Sequence, residues 1–491
     1  VAISTAVPLT QVARGLGILT TFRDLRDGNV LNLPPQIAVL GQGNTASTFS
    51  LTKLTLKNGA AEAAEVFGFG SPIHTAVRQL LPANGDGVGS TTITVYPLDD
   101  GTVAATGDVT PAGAPSKAST IVAIIGGVRS QNILLPQGAS VAVQTAAITA
   151  GINGTLNMPV IATDNGTDVG LAAKWAGETG NDITIAFEGD TNGVTLAITA
   201  MNSGSGNPSA TTILDTMGDQ WDNLVVNCLN LTDSTALDAI QTHGEGRWLP
   251  LVHKPYVAFC GTVEATDATV IAIGDGRKDD RINSVVRAPG GSEQPWAYAA
   301  RAVARVATQM RDNPPVDYAQ NGSLTQLTVG PDADQPDIIA RDTLVKAGIS
   351  TLEVVDGTYQ MSDTVTFYHP DTEPIPGYQF VVDLVKIWNV IYNVRFEFRK
   401  PEWDGAPLLD DATPTNNPAA KQPKMARAVL SVILTNLALA AVLANLDRML
   451  ESIQAEISST NPKRLDMKFT AVLSGNTNII SIDLDFGFNF G

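Results

Sequence analysis

Few residues in this 491-residue sequence have the types and spacing for chemistry. Gly41-x-Gly43-x-x-Ala46 follows the apolar run Ile37 to Leu40, the spacing of a dinucleotide-binding turn. That chemistry needs a helix N-terminus directly behind the glycines, so that free amides meet the pyrophosphate. Ser47 to Leu56 is rich in Ser and Thr and reads as a strand, which leaves a plain glycine turn. Cys228, His243, His253 and Cys260 are metal-ligand types, but structural zinc is held by pairs roughly two to four residues apart. None of these spacings fits, and both cysteines sit in apolar runs, where buried free thiols are expected. Asp275, Asp279 and Asp280 flank Gly276-Arg277-Lys278 without the alternate-residue ligands or closing Glu of a calcium loop, and read as a solvated loop. There are four histidines, and no Walker loop, Gly-x-Ser-x-Gly elbow or His-Glu-x-x-His is found. A carboxylate dyad assembled across the fold stays open. The reading is therefore of no enzyme, with no catalytic residue, no cofactor and no bound metal.

Composition narrows the class. A hydrophobic fraction of 44% supports sizeable cores, while charged residues, at 16%, fall below the usual ~25%. The length predicts roughly three or four domains. A net charge of -18 argues against wrapping nucleic acid, since nothing would neutralise the phosphates, and favours solubility at high concentration. Two cysteines are too few for a secreted disulfide scaffold, so a reducing compartment is expected. Val1-Ala2-Ile3-Ser4 opens no basic or long apolar run, so no signal peptide is expected and the sequons at Asn153, Asn165 and Asn321 carry no weight. Ala426 to Leu446, the most apolar window, is interrupted by Arg427, Ser431, Thr435, Asn436 and Asn445; it reads as a buried helix rather than a membrane span.

The elements expected around these residues change texture along the chain. Residues 1–30 read as an extended N-terminal arm. Ile37 to Leu40 and Thr91 to Leu98 read as strands, with a helix at Pro72 to Leu81. Short Thr/Val/Ala strands and Gly/Asn turns over 101–173 predict an inserted β domain. Ile183 to Phe187 and Val194 to Ala200 look like a hairpin across Gly189 to Gly193. The continuous apolar runs Asn223 to Cys228, Tyr256 to Gly261 and Ile282 to Arg287 alternate with helices at Thr235 to His243, Asp267 to Gly274 and Trp296 to Arg311. That alternation predicts a central α/β domain over 31–100 and 174–336 with a largely parallel sheet. A mixed α+β domain over 337–475 follows. It holds a helix at Asp337 to Ala347, a hairpin of Thr351 to Val355 and Thr358 to Tyr368 around Asp356-Gly357, and helices Tyr378 to Phe398 and Met425 to Ile457. A strand, Leu465 to Leu473, should place Leu465, Met467, Phe469, Ala471 and Leu473 on one face.

The last segment, 476–491, ends in an alternation without a fault. Ile480, Ile482, Leu484, Phe486, Phe488 and Phe490 are apolar; Ser481, Asp483, Asp485, Gly487, Asn489 and Gly491 are polar or small. That is a strand with one buried face, and a lone strand cannot satisfy its own main-chain groups. A partner strand must receive it, in this subunit or in another, and the alternation alone leaves both open.

Four stretches carry a resemblance. They are Gly70-Ser71-Pro72-Ile73-His74 with Val77-Arg78 and Val95-Tyr96-Pro97-Leu98; Ala172-Ala173-Lys174-Trp175-Ala176-Gly177-Glu178-Thr179-Gly180-Asn181-Asp182-Ile183; Asn283-Ser284 with Pro295-Trp296-Ala297-Tyr298-Ala299-Ala300-Arg301-Ala302-Val303-Ala304 and Pro314-Pro315; and Lys346-Ala347-Gly348-Ile349-Ser350-Thr351 with Asp356-Gly357. In order and spacing, over about residues 35 to 400, the chain resembles the tail sheath subunits of Mu-like contractile phages. The resemblance implies a structural protein of the virion, assembled in the host cytoplasm as a helical homo-oligomer of stacked rings. Its implied partners are the tail tube, baseplate and tail terminator proteins, with no nucleic acid and no membrane. It also implies that 1–30 and 476–491 are arms adding strands to neighbouring subunits, with Leu465 to Leu473 in the receiving sheet. A phage-derived contractile particle, such as a bacteriocin or injection system, is the first alternative, and an α/β enzyme with an appended β domain the second.

Overall fold

The computed structural model describes residues 31–83, 85–373 and 377–486. The N-terminal arm and the tail positions Phe488 and Phe490 lie outside the described residues. The chain divides into two compact units: Asn32–Asn389 together with the chain from Gly475, and Leu31 with Val390–Ser474.

The larger unit is built on a six-stranded sheet. In spatial order its strands are Asn283–Arg287, Val257–Thr262, Leu224–Asn227, Gln36–Gln42, Thr92–Leu98 and Leu54–Thr55. The first five run parallel, with Ile37 opposite both Leu224 and Ile93. Leu54–Thr55 is antiparallel at the edge. Parallel strands need long crossovers that cover both faces, so each reads as an unbroken apolar run. Ala38, Leu40, Val225 and Ala258 pack with Ile213, Leu214 and Ile240 from the helices Thr211–Asp215 and Ser234–Trp248. Helices Pro72–Leu80 and Pro295–Asp312 pack on strands of the same sheet. Pro295–Asp312 is buried on nearly every side. Its Arg301 donates to the carbonyls of Gln79 (3.1 Å) and Asp86 (2.7 Å) and pairs with the Asp86 carboxylate at 2.9 Å, so the buried charge is matched.

Behind Gly41 and Gly43 the chain forms a loop and then Leu54–Thr55; the next helix, Gly59–Phe67, begins well downstream. Both glycines serve packing: a Cβ would meet Cys228 at 3.0 Å from Gly41, and the Phe49 ring at 2.4 Å from Gly43.

The chain between Ala104 and Asn202 forms two four-stranded antiparallel sheets. One sets Ser119–Ile125 beside Ile185–Gly189, Val128–Arg129 and Ile133–Leu135; the other has the order Thr195–Asn202, Ala104–Ala112, Val169–Ala176, Val160–Asp164. The β region therefore continues past residue 173. The expected hairpin across Gly189 to Gly193 is not formed. Asn192 and Gly193 do take positive φ, but the turn carries the chain from one sheet to the other, where each strand finds a distant partner. Val141–Asn153, expected as part of an all-β stretch, is a helix burying Gln144, Ile148 and Ile152. Its Val, Thr and Ile content is poor in helix propensity, and tertiary burial overrides it.

Thr351–Val355 and Thr358–Asp363 form the hairpin expected around Asp356-Gly357, whose φ of +49° and +72° are those of a tight hairpin turn. The second strand stops at Asp363, short of Tyr368.

In the smaller unit, Val390, Val394 and Phe398 of helix Val381–Phe398 pack with Leu430, Leu434 and Leu437 of helix Pro423–Leu439. The helix expected from Met425 to Ile457 ends at Leu439. Ala441 and Asn445 take left-handed φ of +57° and +55°, and a short helix, Leu446–Glu451, and a strand, Gln454–Ile457, replace the rest. The break keeps Val442, Leu443 and Met449 in the core, so the apolar pattern was the same either way. Among the described residues no helix is long and apolar enough to cross a membrane.

Two glycine substitutions should separate close approach from mere flexibility. A Cβ at Gly261 would lie 1.7 Å from the Pro295 carbonyl oxygen, a backbone atom that cannot swing aside. Gly261→Ala is expected to cost about 3 kcal/mol or more in denaturant unfolding. Gly246, inside Ser234–Trp248 with open space around it, should gain about 0.5–1 kcal/mol on Gly246→Ala.

Candidate assembly interface

The tail begins from a fixed point. Lys386, whose side chain is 0% exposed, donates from Nζ to Asn476 Oδ1 at 2.6 Å and to Asp383 at 3.0 Å. Asn476 Nδ2 donates in turn to the Pro315 carbonyl at 2.8 Å. A buried ammonium needs every proton accepted, which makes Asn476 a costly residue to lift away. Beyond it regular structure ends. Ile480, Ile482, Leu484 and Phe486 are exposed by 76%, 82%, 77% and 85%, and no strand pairs with them among the described residues. Adjacent apolar residues left this open to water mark an unfinished contact.

The expected receiving strand is shorter than the sequence implied. Leu465–Lys468 pairs antiparallel with Gln454–Ile457. After Lys468 the ladder ends. Thr470 N–H donates to Ser452 Oγ, Ala444 N–H to the Val472 carbonyl and Ser474 N–H to the Val442 carbonyl, so the main chain turns to other partners. Phe469 and Leu473 pack on the core of this unit, whereas Ala471 is exposed; the five alternate residues do not form one continuous face.

The hairpin turns main-chain groups outward on both edges, and one of them is covered in part. Ser458 N–H donates to the Arg464 carbonyl, which sets the alternation: Gln454, Glu456, Asp466 and Lys468 point main-chain groups inward, and Ala455, Ile457, Leu465 and Met467 point them outward. On one side the Ala455 carbonyl accepts from Arg427 at 3.1 Å. On the other, Leu465 and Met467 have no main-chain partner on that edge among the described residues. At the start of the described chain, Leu31 is gripped by Asn393, which accepts from its N–H at 3.2 Å and donates to its carbonyl at 3.0 Å.

The groups singled out for chemistry are mostly structural. Cys228 and Cys260 are free and buried, and burial pushes both thiols up, Cys260 to about 12. Burial lowers His74 and His243 to about 4; His74 Nδ1 accepts from Gly70 N–H at 3.0 Å, and His243 meets the Tyr256 hydroxyl at 3.0 Å. Asp275 and Asp279 are exposed, as expected of a solvated loop, but Asp280 is fully buried. It accepts from the N–H groups of Ile282 (2.9 Å) and Asn283 (3.0 Å) and pairs with Arg277. Sequence reasoning missed Asp280 because the signal lies in which N–H groups face it. A cleft of about 340 Å³ lies beside the carboxyl end of strand Val257–Thr262. Asp182, bonded to Asn230, is pushed up to about 6 there by burial. Glu264 is the one other titratable group lining the cleft. Among the described residues no group of three or more His, Cys, Asp or Glu is placed to hold a metal ion.

No family model matches the chain. It is 23% identical over 479 residues to the Mu-like prophage FluMu tail sheath protein of Haemophilus influenzae, across 94% of this chain and 96% of that protein. Among solved structures it is similar to the sheath tail protein of Desulfitobacterium hafniense (11% identity, 93% and 100% coverage, TM-score 0.44) and that of Listeria innocua (9%, 91% and 96%, TM-score 0.47). It is also similar to the contracted sheath of an extracellular contractile injection system, at 10% identity, 97% and 98% coverage and TM-score 0.47. The full-length sequence likeness agrees with the resemblance carried by the four stretches.

Asn476→Ala would leave the buried Lys386 ammonium one acceptor short. A loss of about 1–3 kcal/mol in denaturant unfolding is expected. Unchanged stability would show that the base of the tail is held by something else.

Proposed function

We propose that this chain is the structural subunit of a contractile tail sheath, polymerising through strands donated between copies. The near-full-length likeness to a prophage tail sheath protein carries the sheath assignment. Strand donation is supported by the anchored tail with its exposed apolar face, and by a hairpin edge with outward main-chain groups and no partner on it among the described residues. In this reading Ile480 to Phe490 of one copy extends the hairpin of another along Leu465 and Met467. Residues 1–30 act as a second arm.

Strand addition supplies main-chain hydrogen bonds for affinity and alternate side-chain pockets for register. Burying six apolar side chains at ~1.5–3 kcal/mol each sets an upper bound of roughly 9–18 kcal/mol before ordering costs. A one-residue slip would turn every apolar residue outward, so the join is well defined. Flexible joints of this kind stay closed while the units they connect move as rigid bodies. The sheath surrounds a tail tube between baseplate and terminator proteins, as a component of the virion. Contraction is a switch between two packings, with the energy stored at assembly and no nucleotide consumed.

Deleting Ile480 to Gly491 should leave a folded, soluble subunit that no longer forms striated hollow cylinders by electron microscopy. If the truncated subunit unfolds, the tail completes its own protomer. If it still polymerises, the strand is not the joint.

A further inference from the structure

The two faces of the Gln454–Ile457 and Leu465–Lys468 hairpin differ in chemistry. Ala455, Ile457, Leu465 and Met467 form one face; Gln454, Glu456, Asp466 and Lys468 form the other. On the polar face Asp466 pairs with Arg464 at 2.6 Å, in an exposed ion pair that leaves the carboxylate charged. Lys468 is exposed, its cross-strand partner is the uncharged Gln454, and it makes no ion pair among the described residues. In the tail Asp483 and Asp485, both exposed, occupy the polar side of the alternation, also without an ion pair among the described residues. Among the described residues an unpaired cation therefore sits on this edge strand, and two unpaired carboxylates sit on the segment that would lie beside it.

We propose that Lys468 sets the register of strand exchange by pairing with Asp485 in the tail of a second copy, in an antiparallel ladder. This rests on the strand-donation reading above. Directly opposite residues share a face, so matching the apolar faces leaves only registers two residues apart. With Asp485 opposite Lys468, Phe486 falls opposite Met467, Leu484 opposite Phe469, and Gly487 opposite Asp466. The residue facing the hairpin's acid is then uncharged. Slipping one way places Asp483 on Lys468 and Asp485 directly on Asp466, a like-charge pair. Slipping the other way brings Gly487 to Lys468 and loses the ion pair. The antiparallel arrangement is the part of the proposal that the charge pattern leaves to experiment, chosen as the commoner ladder type. A parallel ladder would instead put Asp483 on Lys468, with Ser481 on Asp466. The charge pattern thus rejects neighbouring registers that the apolar stripe alone tolerates.

The test is a charge exchange in the full chain, read as the critical concentration for polymerisation at low and high salt. Lys468→Glu and Asp485→Lys should each raise it about tenfold at low salt, since each sets like charges opposite one another in every joint. The double variant should return most of the way to wild type, and the difference between single and double should shrink at high salt. All positions are exposed, so the monomer's unfolding midpoint should not move. A double variant no better than the singles overturns the proposal, as does Lys468→Glu assembling like wild type while the tail deletion abolishes assembly. Rescue by Asp483→Lys in place of Asp485→Lys overturns the antiparallel register. Assembly that survives the tail deletion removes strand donation itself.

Discussion

A strand cannot satisfy its own main chain. Each N–H or C=O that leaves water without a partner costs about 1–3 kcal/mol, so a segment that must bury its apolar face must also find a ladder. Two parts of this molecule stand in that condition. From Ile480 to Phe486 the tail is apolar on one side and exposed, and the Leu465–Lys468 edge turns main-chain groups outward with no ladder partner on that side among the described residues. On the opposite edge one outward group, the Ala455 carbonyl, accepts from Arg427. Most of the functional reading follows from these incomplete ladders.

A linkage made of a strand is useful only if what it joins is stiff. The larger unit supplies stiffness through close backbone approach and matched buried charge. Strand Val257–Thr262 runs so near helix Pro295–Asp312 that only glycine fits at 261, and Arg301 is locked by two carbonyls and a carboxylate. Trp175 and Trp296, from two separate stretches of the resemblance, meet edge to face at 5.9 Å between ring centroids. Ser71 caps helix Pro72–Leu80, and Gly348, at φ +77°, lets the chain pass within a Cβ's reach of Phe367. The recognisable motifs are thus caps, close approaches and core contacts rather than reactive groups, as suits a building block.

The titratable groups tell the same story. Cys228 and Cys260 are sealed in apolar surroundings, His74 accepts from a backbone amide, and Asp280 spends its carboxylate on two amides and Arg277. Each is consumed by local satisfaction. Asp182, shifted toward neutrality in its cleft by burial, accepts from Asn230.

Parallel-sheet strands, the Asp356-Gly357 hairpin and helix Pro295–Asp312 were legible from residue order. In each case the signal is local: an unbroken apolar run, a residue pair suited to positive φ, an apolar helical surface. What residue order could not decide depended on partners distant along the chain. Ile185–Gly189 and Thr195–Asn202 have the turn of a hairpin yet join different sheets, because each finds its ladder elsewhere. Met425 to Ile457 has the apolar pattern of one helix yet breaks at Ala441, because a turn buries Val442 and Leu443 equally well. The long strand expected at Leu465 to Leu473 ends at Lys468, because Ser452 and the segment around Val442 to Ala444 take the next main-chain groups. Periodicity records which side chains leave water; which backbone each strand pairs with is settled only when the chain has folded.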